Sequence, residues 1–148
     1  MHRLTLDAAS TIVDRALAKG REMALPPLTV VVLDAGGHMV AMKREDGSSL
    51  LRPDIAGGKA WGTLGMGFGG RELARRAAAG GMRGVLFSGW DGRMVPVPGG
   101  VLIRNADGEI VGAVGISGAS SLDDEACAVA GIDAAGLVAD TGESEEDD

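Results

Sequence analysis

The chemistry-bearing residues of this chain are few and widely spaced. Lys59 stands in Ala56-Gly57-Gly58-Lys59-Ala60, four residues after Ile55 and four before Thr63. That places it at the edge of an apolar helical stripe. Either its stem covers the core while its amine stays in water, or the amine points into a cleft. There it would bind a carboxylate or act with a lowered pKa. Arg44-Glu45-Asp46 follows an apolar strand pattern. It reads as a surface turn or as an anion-binding guanidinium steered by neighbouring carboxylates. Asp34 ends the preceding strand, where an aspartate commonly accepts hydrogen bonds from turn amides. Gly99 and Gly100 precede another strand, and their amides make a simple bend or a small anion-binding concavity. Asp123-Asp124-Glu125 opens a helical pattern, where negative charge suits the helix dipole.

Other motifs lead elsewhere. Gly65-Met66-Gly67-Phe68-Gly69-Gly70 spells G-x-G-x-x-G, but a helical pattern precedes it where a dinucleotide fingerprint needs a strand. It reads as a helix break. Gly57-Gly58-Lys59-Ala60 lacks the first glycine of a phosphate loop, and Ala60 replaces its serine or threonine. His2 and His38 share no helix face, which argues against a histidine-based zinc site within one chain. Cys127 is the sole cysteine, so no internal disulfide forms, and its place among alanines reads as packing. Trp61 and Trp90 need cover from the core or from a neighbouring subunit.

The elements that must position these residues are legible from periodicity. A first helix, capped by Thr5, carries Ala9, Ile12, Val13, Ala16, Gly20, Met23 and Ala24 on one stripe, and Pro26-Pro27 ends it. Val30 to Lys43 forms a hairpin turning at Gly36-Gly37; its first strand is apolar on both faces, as in strands covered on both sides. A second helix opens at Arg52-Pro53-Asp54 and breaks at Gly69-Gly70, with Ile55, Ala56, Ala60, Thr63, Met66 and Gly67 inward. Arg71 to Ala79 is a short helix with a basic side. A loop-rich passage holds a short strand near Arg93 to Val97. A second hairpin turns at Asp107-Gly108. Ser120 or Ser121 caps a last helix, with Cys127, Ala130, Gly131, Ala134 and Val138 as its buried face.

These parts need one domain, and 148 residues are enough for it. The 25 glycines follow no repeat and sit among apolar residues, which points to tight turns and close packing. The net charge is −7, but five of the 21 acids lie in the last six residues, and without them the body carries only −2. We expect a domain over 1–140 and an acidic disordered tail over 141–148. No basic footprint for nucleic acid, membrane span or signal peptide is apparent, so a cytoplasmic protein is expected.

Taken in order, Val31-Val32-Leu33-Asp34-Ala35-Gly36-Gly37, Lys43-Arg44-Glu45-Asp46-Gly47, Ala56-Gly57-Gly58-Lys59-Ala60, Pro98-Gly99-Gly100-Val101, Val111 to Ala119 and Asp123 to Gly131 resemble the GlcG/HbpS-like family, the haem-degrading or haem-binding domain. The resemblance runs from about Leu4 to about Val138. It implies an α+β fold: a profilin-like α/β/α sandwich around a five-stranded antiparallel sheet. It also implies homo-oligomers, from dimer to octamer, and haem as a candidate cofactor. The family's functional positions map onto Asp34, Arg44, Asp46, Lys59, Gly99 and Gly100. No histidine falls in a matched motif.

The expected function is small-molecule binding. Lys59 and Arg44 would line a pocket for haem or a small anionic ligand, over the amides of Gly99 and Gly100, with Asp34 and Asp124 orienting the cations. The alternative is a cofactor-independent lyase or isomerase acting on a small organic acid, with Lys59 as base or electrophile and Asp46 or Asp124 as proton carrier.

Overall fold

The computed structural model describes residues 3–80 and 93–144. Trp90, His2 and the end of the acidic tail lie outside them. The elements are α1 (Leu6–Glu22), β1 (Thr29–Asp34), β2 (Met39–Arg44), α2 (Arg52–Met66), α3 (Gly70–Ala78), β3 (Gly100–Arg104), β4 (Ile110–Ser117), α4 (Ser121–Ala134) and β5 (Val138–Asp140). The strands form one antiparallel sheet in the order β2-β1-β4-β3-β5.

Alternation along the strands separates two layers. Val30, Val32, Val101, Ile103, Val114 and Ile116 face α1 and α4, where they meet Ile12, Val13, Cys127 and Ile132. Val31, Leu33, Leu102 and Ala113 face α2 and meet Ala56 and Ala60. Val30 to Leu33 is therefore covered on both sides. The fold is the expected α+β sandwich.

The α2 layer lies unusually close to the sheet. A Cβ on Gly115 would fall 1.8 Å from the Ala56 carbonyl oxygen, and one on Gly100 would fall 2.5 Å from the Lys59 carbonyl oxygen. Only a strand without side chains at these points lets the helix backbone rest on it.

Several local expectations are corrected. α1 ends at Glu22, and the chain turns at Ala24 with φ of 56°, before the prolines. α2 ends earlier than its glycine pair, at a left-handed Gly67, while Gly69 leads into α3. The segment from Arg93 to Val97 is not a strand; it runs along α2, and the Val95 amide donates to the Gly58 carbonyl at 3.2 Å. α4 stops at Ala134, which is exposed, and Val138 belongs to β5. The buried face of α4 includes Asp124, Glu125, Ala128 and Ile132, which apolar periodicity does not mark.

Candidate functional site

Lys59 projects from the middle of α2 and is 4 % exposed, so its amine is not in water. The amine donates to the Ile116 carbonyl at 2.8 Å and to Asp124 Oδ2 at 3.1 Å. Asp124 is 1 % exposed, and its Oδ1 accepts from the Ala119 amide at 2.9 Å. Burial is the largest influence on this carboxyl and pushes its pKa above 3.8; the Lys59 charge and the Ala119 amide pull the other way. The pair joins α2 to the start of α4 beneath the end of β4.

Gly99 contributes space to that pair. It has φ of 110°, and a Cβ there would lie 2.8 Å from the Lys59 amine. Its carbonyl accepts from the Ile116 amide at 3.1 Å. Gly100 gives the helix backbone its close approach, as described above. Both glycines thus stand against Lys59.

Arg44 sits elsewhere, at the end of edge strand β2. Its guanidinium donates to the Ser48 carbonyl at 2.7 Å. With Arg21, Pro27, Glu45 and Asp46 it walls an open cleft, and Lys59 is not on that wall. Asp46 is exposed there. Asp34 closes the first hairpin: its Oδ1 accepts from the amides of Gly36 and His38 at 2.9 and 3.0 Å. The His38 amide is the chief cause holding the Asp34 carboxyl below 3.8. The site residues read from sequence therefore fall into three separate places.

A cleft of about 560 Å³ lies between the first half of α2 and the face of β1 and β2. Its apolar wall includes Val31, Leu33, Met39, Leu51, Ile55 and Val95. Gly57, Asp54 and Arg93 also line it. Met39 and Leu51 are 61 % and 59 % exposed. The Arg93 guanidinium stacks on Trp61, 3.9 Å from the ring centroid. Trp61 walls a smaller adjoining hollow of about 210 Å³, and Gly37 borders both. Ligand clefts commonly have this size and apolar character with few polar groups. Sequence reasoning missed the cleft because its walls come from three separated segments. The one available signal was Met39 and Leu51, apolar residues flanking turns.

The acidic run at α4 also does more than meet the helix dipole. Glu125 is buried and takes a bidentate contact from Arg71 on α3, at 2.7 and 2.9 Å. Among the described residues, no three His, Cys, Asp or Glu side chains gather as a metal site, and no helix is long and apolar enough to cross a membrane.

The sequence profile of the family described as haem degrading protein HbpS-like matches residues 4–133. The chain belongs to the HbpS-like family. A structure described as a PduOC:haem complex superposes with a TM-score of 0.84 at 25 % identity, covering 95 % of this chain and 99 % of that one. The protein ORFY of Klebsiella pneumoniae gives 0.81 at 24 %, covering 92 % of each chain. HbpS of Streptomyces reticuli, in a double-mutant form, gives 0.77 at 26 %, covering 90 % of this HbpS-like chain and 87 % of that one. None of the curated proteins matches the chain.

Proposed function

We propose that this HbpS-like protein binds a flat, largely apolar small molecule of the haem class in the cleft between α2 and the β1–β2 face. The observation that carries this reading is the cleft itself: about 560 Å³, apolar walls, and one guanidinium at its edge. The haem complex of a structural neighbour supports the ligand class. The residues fit such a group. Met39, Leu51 and Ile55 offer apolar surface to a macrocycle, and Arg93 offers charge to a carboxylate. Met39, on the wall, carries an iron-binding thioether. Bound haem would supply redox and ligand-binding chemistry at its iron; the chain supplies seating, orientation and shelter.

Lys59 has a different place in this account. Its amine is enclosed and committed to Asp124 and Ile116. That arrangement supports a structural role over a lysine acting on a small organic acid.

The test is titration of the full chain with haem at micromolar protein, followed by the Soret band. A saturable shift at one haem per chain is expected. Met39→Leu keeps the apolar wall, so it should retain binding while changing the spectrum of the bound iron. Absence of a saturable shift in the unmodified protein overturns the proposal.

A further inference from the structure

A polar patch lies under the N-terminal end of α2, apart from the cleft. Thr29, Arg44 and Ser117 form one cross-strand row: Thr29 pairs with Arg44 on one side and with Ser117 on the other. Thr29 has the same strand parity as Val31 and Leu33, so the row faces α2. Arg52, in the first turn of α2, reaches down and donates to Ser117 Oγ at 3.0 Å. Arg44 reaches from the other side to the carbonyl of Ser48. The turn carrying Ser48 folds inward, with the Ser48 amide donating to the Glu45 carbonyl at 3.1 Å.

Two buried hydroxyls in this patch have no hydrogen-bond partner among the described residues: Thr29 Oγ1, on a residue 0 % exposed, and Ser48 Oγ, on one 7 % exposed. A buried hydroxyl without a partner is costly, so such groups ordinarily meet something. The helix above has no side-chain cap; Leu51 stands at that position. Two guanidiniums and three hydroxyls can all donate, a set that suits a small oxyanion. The nearby acids are largely engaged. Glu45 accepts from Arg21 at 3.1 Å and from the Leu28 amide at 2.8 Å, and Asp124 is held by Lys59. Asp46 is exposed and borders the outer cleft of Arg44.

We propose that Arg44 and Arg52, with the hydroxyls of Thr29, Ser48 and Ser117, bind a carboxylate. It is either a small free acid or the acid group of a larger ligand. The site does not depend on what occupies the apolar cleft.

The experiment has two arms. In the first, acetate is titrated into the full chain at constant ionic strength, with chloride as the balancing ion, and thermal melting is followed. A saturable rise in Tm is expected, with the apparent Kd weakened at least tenfold in Arg44→Gln/Arg52→Gln. Thr29→Val keeps the shape and removes one hydroxyl; it should weaken acetate about tenfold without lowering Tm in acetate-free buffer. In the second arm, octanoate and its methyl ester are compared with acetate. Octanoate binding tighter than acetate and than its ester, both differences lost in the double variant, assigns the site to the acid group of a larger ligand. Octanoate binding no tighter than acetate assigns it to a small free acid. If both acids act equally on the unmodified chain and the double variant, or neither gives a saturable effect, the proposal is overturned.

Discussion

Replacing Lys59 by methionine tests the buried pair directly. The unbranched side chain keeps most of the volume, so the cavity contribution is small. What disappears is the amine that meets Asp124 Oδ2 at 3.1 Å and the Ile116 carbonyl at 2.8 Å. Asp124, 1 % exposed, then keeps only the Ala119 amide. Removing one partner of a buried ion pair costs about 3–5 kcal/mol, out of the roughly 5–15 kcal/mol that holds a domain folded. The cost depends on pH. Burial already raises the folded pKa of Asp124 above 3.8, and loss of the amine raises it further. Between the unfolded and folded values the native chain holds a proton that the unfolded chain has released. Stability therefore falls as pH rises through that window, by about 1.4 kcal/mol per pH unit, and levels off above it. Urea unfolding followed by far-UV circular dichroism at pH 7.5 and pH 4.5 measures both quantities. The variant should lose about 3–5 kcal/mol at pH 7.5 and clearly less at pH 4.5. Adding Asp124→Asn, which removes the stranded charge, should restore most of the loss at pH 7.5. A loss below about 1 kcal/mol at pH 7.5, or equal losses at both pH values, refutes the reasoning.

Other outcomes follow from single positions. Gly115→Ala forces a Cβ to 1.8 Å from the Ala56 carbonyl oxygen, so it should cost at least about 3 kcal/mol in urea unfolding. Cys127 is buried and its thiol is pushed up to about 11, so iodoacetamide at pH 8 should label it only after denaturation. Asp34→Ala removes the acceptor for two turn amides and should cost about 1 kcal/mol above pH 4, at a partly exposed site. Because the folded Asp34 pKa lies below 3.8, its contribution is present above that value and fades as pH falls through the depressed one. The same variant should leave haem binding unchanged.

The sandwich was legible because its signals are local and consistent. Val30 to Leu33 is apolar at every position, Asp107-Gly108 lies between two apolar runs, and Ser120 precedes three acids. Element ends were less legible, since Ala24 takes the left-handed turn that glycine usually takes and Gly67 stops α2 before the more conspicuous Gly69-Gly70. The burial of Lys59 could not be read from helical spacing. It depends on Asp124, 65 residues away in sequence, and on glycines that bring α2 down onto the sheet. The apolar cleft was hidden for a similar reason: Met39, Leu51 and Arg93 belong to three segments that only the tertiary fold assembles.

Gly57 allows the most direct test of the cleft reading. It lines the cleft, and a Cβ there would have no neighbour within 4 Å. Gly57→Leu therefore starts a side chain at the cleft with no clash at its Cβ, and improves helix propensity by up to about 1 kcal/mol. Parallel Soret titrations of the unmodified chain and this variant decide the matter. Saturable binding by the first, with at least tenfold weaker binding by an equally stable second, is the predicted result; equal binding by both would contradict the account.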